Sequence, residues 1–301
     1  MNNRTVKWTT LLASAACILL LILDAQTALR GARKGVEISI HTIIPTLFPY
    51  IFLSGILNPL LLGRRIPIMA PMGRLCGVPD GAESLLLLGL IGGYPVGAKL
   101  IADSYTTGQL QKRTAYRMLG FCSNAGPAFI FGMLSSAFAN PLAPWILWLV
   151  HIISAVIVGI ILPGKQTTAS SIRSVHPIGF SLVLDRAIKA VGQVCGWVIL
   201  FRIIITFCER LFLLFWPASL QTMFTGLLEL SNGCITLSKV ADERIRLILC
   251  SGLLASGGLC VGMQTLSVTK GLGAGLYFPG KALQTLFSIL LILPCSYMLY
   301  P

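Results

Sequence analysis

Glu83-Ser84-Leu85-Leu86-Leu87-Leu88-Gly89-Leu90-Ile91-Gly92-Gly93-Tyr94-Pro95-Val96-Gly97-Ala98-Lys99-Leu100-Ile101-Ala102-Asp103-Ser104 is an apolar run cut in the middle by two glycines and a proline. Pro95 has no backbone N–H, and its ring opposes a helix running through the residues before it. The arms 83–91 and 96–104 are each nine residues long. At a helical rise of about 1.5 Å per residue, each arm covers roughly 13–14 Å, near half of a ~30 Å hydrocarbon core. The stretch therefore reads as a re-entrant hairpin, against the alternatives of a span broken at mid-depth or a merely kinked one. Irregular backbone at that depth is tolerated only where protein buries it or where it lines a wet cavity.

The remainder of the chain sets that hairpin in a membrane. Of 301 residues, 55% are hydrophobic and only 11% charged, and the mean hydropathy is +0.83. Soluble domains carry about a quarter charged residues. An all-α polytopic membrane protein follows, with the lipid bilayer as its first partner. The net charge of +13 would suggest nucleic acid in a soluble chain. Here the bases fall mainly in short loops between apolar runs, where topology signals belong, so no nucleic-acid partner is expected. The nine cysteines form no CxxC pair, and His41, His151 and His176 have no ligand spacing, so neither a metal nor a cofactor is expected. Walker, GxSxG and HExxH motifs are absent, and no nucleophile–base pair is visible, so the chain does not read as an enzyme.

Working outward, Arg4 and Lys7 precede an apolar run from Trp8 to Leu23, read as a retained first helix rather than a cleaved signal peptide. Arg30, Arg33 and Lys34 are placed in a loop, and Ile38–Leu61 is the next span. A Pro-, Gly- and Arg-rich loop at 62–82 leads into the broken stretch. Further spans are read at Met118–Phe138, broken at Ser123-Asn124-Ala125-Gly126-Pro127, and at Pro144–Leu162. After a Ser/Thr-rich connector come Leu182–Phe207, a second broken element at Leu220–Val240, Leu247–Val268 and Leu283–Tyr300. In all, about seven full transmembrane helices and two hairpins are expected. The organisation is an N-terminal helix (1–35), a first repeat (36–162), a connector (163–181) and a second repeat (182–301).

The two halves match in order. Gly89-Leu90-Ile91-Gly92 aligns with Gly226-Leu227-Leu228-Glu229, and Ala125-Gly126-Pro127 with Ala255-Ser256-Gly257. Broken segments at corresponding positions of two halves point to the central site of a transporter built from inverted repeats. The tips are expected at Gly92–Pro95 and Ser231–Gly233, and four breaks, at 92–95, 123–127, 231–233 and 255–258, are expected to converge. The positive-inside rule barely separates re-entrant hairpins with the N-terminus inside from full spans with the N-terminus outside.

Ile44-Pro45-Thr46-Leu47-Phe48-Pro49, Gly92-Gly93-Tyr94-Pro95-Val96-Gly97-Ala98-Lys99 and Gly120-Phe121-Cys122-Ser123-Asn124-Ala125-Gly126-Pro127 resemble the YlbJ family of sporulation integral membrane proteins. That family belongs to the wider group with the nucleoside-recognition Gate domain. The resemblance covers roughly residues 36–300, with Tyr94 where many relatives have phenylalanine. It implies the core of concentrative nucleoside transporters, an inner membrane of a bacterial cell or forespore, and movement of dipicolinic acid during sporulation.

The substrate-binding candidates are Gly92, Gly93, Tyr94, Pro95, Lys99, Ser123, Asn124, Gly126, Glu229, Ser231, Asn232 and Gly233. Lys99, one turn from the tip, can attract a carboxylate, or snorkel to the loop. Ser123 and Asn124 offer donors beside a helix N-terminus, which itself favours anions, or simply cap it. Glu229 is the one acid deep in an apolar element. An ionisable residue there costs about 2.5–3.5 kcal/mol on insertion scales and is a functional hypothesis by default. It is expected to hold a proton when an anion is bound, or to bind the hydroxyls of a neutral solute. Arg202 reads as a snorkelling anchor. The leading expectation is a secondary-type transporter of a small organic anion, ahead of a nucleoside transporter or a non-transporting component of an envelope assembly. The oligomeric state is open.

Overall fold

Four leucines in succession, then Gly-Gly-Tyr-Pro, produce two short helices instead of one long one. In the computed structural model, which describes residues 3–164, 179–269 and 271–300, α5 (Glu83–Ile91) stops at Gly92 and α6 (Val96–Thr106) starts directly after Pro95. Gly93 takes φ +80, a conformation that only glycine adopts without strain. The arms fold back on each other so closely that a Cβ on Gly97 would lie 3.0 Å from the Cα of Gly89. On the other side it would lie 1.9 Å from the carbonyl oxygen of Cys122, so the hairpin rests backbone to backbone on that residue.

Around it stand, in chain order, α1 (Asn3–Leu23), α2 (Ala25–Ile38), α3 (Ile44–Leu61), α4 (Ala70–Leu75), α7 (Lys112–Leu119), α8 (Pro127–Phe129), α9 (Ala143–Ile161) and α10 (Phe180–Leu211). They are followed by α11 (Ala218–Leu228), α12 (Leu230–Thr236), α13 (Glu243–Ser256), α14 (Gly258–Val268) and α15 (Tyr277–Leu299). Helix is the only regular structure among the described residues. Five helical runs there are long and apolar enough to cross a membrane: 25–61, 143–161, 180–211, 243–268 and 277–299. The chain is an integral membrane protein of polytopic all-α type. Leu12, Ile22, Trp145, Leu149 and Leu290 point outward, as lipid-facing side chains do, while Asn124, His151, Arg202, Glu229, Lys281 and Gln284 are buried.

Several boundaries differ from the sequence reading. Arg30, Arg33 and Lys34 lie on α2, not in a loop. A π-helical turn at Ser39–Ile43 joins α2 to α3, just before Pro45, which has no N–H for the usual bond. The reason is Gly31-x-x-x-Gly35, which lets α2 approach α10 until a Cβ on either glycine would meet the Cα of Ile203 or Ile199 at 2.7 Å. Met118–Phe138 is not one span: α7 ends at Leu119, residues 120–126 are irregular, and α8 continues as a π turn. The last helix begins at Tyr277 rather than Leu283. The connector at 165–178 lies outside the described residues.

Buried Arg117 ties these pieces together with no acid paired to it among the described residues. Its Nε donates to the carbonyl of Leu162 at 3.2 Å, and its terminal nitrogens donate to the carbonyls of Cys76 and Gly159. It thereby serves the C-terminal ends of α4 and α9, where a cation is favoured by the helix dipole. Arg117→Ala should lower stability by about 3 kcal/mol, since carbonyls left buried without donors carry their full desolvation cost. Lysine should recover only part of it, having no fork. Thermal unfolding in detergent reads the difference, and an unchanged midpoint for the alanine variant would refute the role.

Candidate functional site

The first hairpin tip, the irregular strand 120–126, the second hairpin and the break between α13 and α14 meet in the middle of the molecule. A Cβ on Gly126 would fall 2.9 Å from Gly93 N and from Ile91 O, so the tip and the strand touch through their backbones. Tyr94 donates its hydroxyl to the carbonyl of Leu254 at 3.0 Å, near the end of α13. Gly257 there adopts φ +69 and Gly258 φ +73. A Cβ on Gly258 would strike the carbonyl of Gly226 at 2.7 Å, which seats the end of α11 against the start of α14.

The second hairpin breaks at Glu229, not at Ser231–Gly233. Ser231, Asn232 and Gly233 are helical and belong to α12. Neither proline nor glycine makes this break. Glu229 takes an extended backbone (φ −146, ψ 117) and turns its carboxylate onto the helix that follows. It accepts from Ser231 N at 3.1 Å, Asn232 N at 2.8 Å and Asn232 Nδ2 at 2.7 Å, filling the seat that a helix N-terminus offers an anion. Gly233 serves packing: its Cβ would lie 2.3 Å from the Cα of Gly226, a glycine pair like Gly89 and Gly97 in the first hairpin.

Between the tips lies a cavity of about 50 Å³. Of the candidates named from sequence, Gly92, Gly93, Tyr94, Gly126, Glu229 and Ser231 line it, joined by Thr46 and Gln264. The others lie elsewhere. Pro95 is buried behind the tip. Lys99 faces a different cavity and pairs with Asp103 at 2.6 Å, one turn along α6. Ser123 and Asn124 are fully buried and do not line the cavity: Asn124 Nδ2 donates to Phe121 O at 2.7 Å, and its Oδ1 accepts from Gln284 at 2.9 Å. The nearby amide of Ala125 is not available to a ligand either, since it donates to His151 Nε2 at 3.0 Å. That bond places the imidazole proton on Nδ1. Asn232 reaches out of the cavity to Arg202, whose guanidinium donates to its Oδ1 at 2.8 Å and to both oxygens of Glu209 at 3.1 Å. Arg202 is 6% exposed and is therefore a buried partner rather than a snorkelling anchor.

A buried cation lies one hydrogen bond from the cavity, at a residue just before the last span read from the sequence, Leu283–Tyr300. Lys281 is 4% exposed, and its ammonium donates to Tyr94 Oη at 3.1 Å and to Gln284 Oε1 and Ser123 O, both at 2.5 Å. It also lies 5.0 Å from the centre of the Tyr94 ring. No carboxylate forms an ion pair with it among the described residues. A Phe at position 94 would lack the hydroxyl that both Lys281 and Leu254 engage. The missed signal is a stripe on α15: Tyr277, Lys281, Gln284, Ser288 and Ser296 recur at helical spacing and all are buried. No group of His, Cys, Asp and Glu residues suited to a metal ion occurs among the described residues.

The chain is similar to sporulation integral membrane protein YlbJ of Bacillus subtilis (strain 168), at 29% identity over 118 residues. The match covers 38% of this chain and 28% of that protein. No protein-family model matches, and neither does any solved structure.

Proposed function

We propose that the protein is a secondary-type transporter of a small organic anion, bound between the two hairpin tips. One observation carries this reading: two hairpin tips and the irregular stretch 120–126, drawn from distant parts of a membrane-embedded chain, line one cavity, with the break between α13 and α14 packed against Tyr94 beside it. Broken helices at membrane depth are costly unless the freed backbone groups serve a cavity, and inverted-repeat transporters use them in that way. The paired glycines of the two hairpins, with Glu229 at the position that aligns with Gly92, support an inverted internal repeat of the Gate-domain kind. An anion is favoured over a neutral solute by Lys281, a buried ammonium one hydrogen bond behind the cavity wall. The similarity to a sporulation protein makes dipicolinic acid the dicarboxylate to test first.

At about 50 Å³ the cavity holds no more than a few water molecules, each needing ~10–15 Å³ by this measure, so the tips part to admit a solute. The protein in sealed liposomes should accumulate labelled dipicolinate above protein-free liposomes and should leave uridine outside. Uptake of uridine alone would overturn the anion class, and uptake of neither would overturn transport of these solutes.

A further inference from the structure

Two further cavities flank the central one, and the same two elements wall all three. On α10, Arg186 lines one flanking cavity, Val194 the central cavity and Arg202 the other. Each step is eight residues, about 12 Å along a helix, so the flanking cavities lie roughly 24 Å apart. The antiparallel run 25–61 repeats the order in reverse: Lys34 and Thr42 face the Arg202 cavity, Thr46 the central one, and Gly55 and Asn58 the Arg186 cavity. Three cavities in succession along these two elements cover a length close to that of a ~30 Å hydrocarbon core.

Each partition between neighbouring cavities is a hairpin tip. Tyr94 belongs to the centre and Val96, two residues on, to the Arg186 cavity. Glu229 and Ser231 belong to the centre and Asn232, the next residue, to the Arg202 cavity. The outer cavities differ in size, about 430 Å³ beside Arg202 and about 70 Å³ beside Arg186. Both carry one base more than they carry acids. Lys34, Arg202 and Lys239 stand against Glu37 and Glu209 in the larger, and Lys99 and Arg186 against Asp103 in the smaller. In the larger, Arg202 Nε is buried with no hydrogen-bond partner among the described residues. In the smaller, the same holds for the buried hydroxyl of Ser104.

We infer that the three cavities form one path for an anionic solute across the membrane, walled by α10 and the 25–61 run. The wide Arg202 vestibule is its open mouth, the Arg186 cavity its closed mouth, and the two tips are its gates. This inference rests on the transport reading and adds the route, the charged mouths and the side that stands open.

Single cysteines at Thr42 (open mouth), Ala128 (centre) and Ser104 (closed mouth) test it in sealed proteoliposomes of the full chain. The probe is a membrane-impermeant, negatively charged methanethiosulfonate applied from one face at a time. Peptide mass spectrometry separates each new thiol from the nine native ones. Arg186→Cys and Ser231→Cys serve as second probes should Ser104→Cys or Ala128→Cys not fold. Thr42→Cys should be modified from one face only, and Ser104→Cys from the opposite face only and more slowly, because its mouth is closed. Ala128→Cys should react from the Thr42 side about tenfold more slowly than Thr42→Cys, in keeping with the share of time that the second tip stands aside. Modification of both mouths from the same face would overturn the path, as would a centre silent from both faces. The labelling needs no solute, so this pattern together with absent dipicolinate uptake would leave the path standing and remove the proposed cargo.

Discussion

Lys281→Met is expected to give a folded protein that binds a dianion about thirtyfold more weakly and handles a neutral solute as before. The size follows from geometry. A carboxylate on the cavity side of the Tyr94 ring would sit ~8 Å from Nζ, which is itself 5.0 Å from the ring centre. At an effective dielectric near 20, a unit charge at that distance contributes about 2 kcal/mol, some thirtyfold in affinity. Methionine keeps the length and apolar bulk, and no buried carboxylate is left unpaired among the described residues when the lysine goes. The ammonium's acceptors, Ser123 O and Gln284 Oε1, do lose a donor, so Lys281→Ala should be the less stable of the two. Measuring dipicolinate and uridine affinity together with thermal stability separates the electrostatic role from a structural one. Equal loss for both solutes, tracking a fall in stability, would make Lys281 a tie rather than the source of the field.

How far the sequence disclosed this centre depended on what made each break. Gly-Gly-Tyr-Pro interrupts a leucine run with residues that cannot continue a helix, so the first tip and both its arms were legible to within a residue or two. At the second hairpin the reading followed the glycine and asparagine to 231–233. There the chain turns instead because a carboxylate caps the following helix, and Glu229 is not a residue that announces a turn. Lys281 was hidden by its neighbours. The apolar window that marks the last span begins after it, whereas the helix starts at Tyr277, and burial of a lysine depends on partners supplied by residues 94 and 123. Lys99 misled for the opposite reason. It lies near the tip in sequence, but at helical pitch it points along α6 to Asp103 and away from the cavity. The Gly31-x-x-x-Gly35 pair was in plain view, yet the three bases around it read as a loop. Helical packing of the glycine face against α10 was the stronger constraint.

On the proposed reading, Glu229 sets how an anion and a carboxylate would share one cavity. Its side chain already occupies the amides at the start of α12, and through Asn232 it is linked to Arg202 and the vestibule. A dianion entering from that side meets a like charge unless Glu229 takes up a proton. If the protein moves a dianion, as proposed, each transport cycle would then carry a proton with the solute. The expected result is uptake of dipicolinate that rises as external pH falls, and a Glu229→Gln protein whose uptake hardly varies with pH. Glutamine keeps one acceptor oxygen for the amides of Ser231 and Asn232, which the two carboxylate oxygens now divide between them, so α12 stays partly capped and substrate affinity persists. Removal of the cap by Glu229→Ala should instead cost about 1 kcal/mol of stability and loosen the tip. For a neutral nucleoside the pattern reverses, because the carboxylate would be a ligand and glutamine would abolish binding. Uptake measured across pH for wild type and Glu229→Gln distinguishes the two. A glutamine variant that keeps the wild-type pH profile would take the proton away from Glu229.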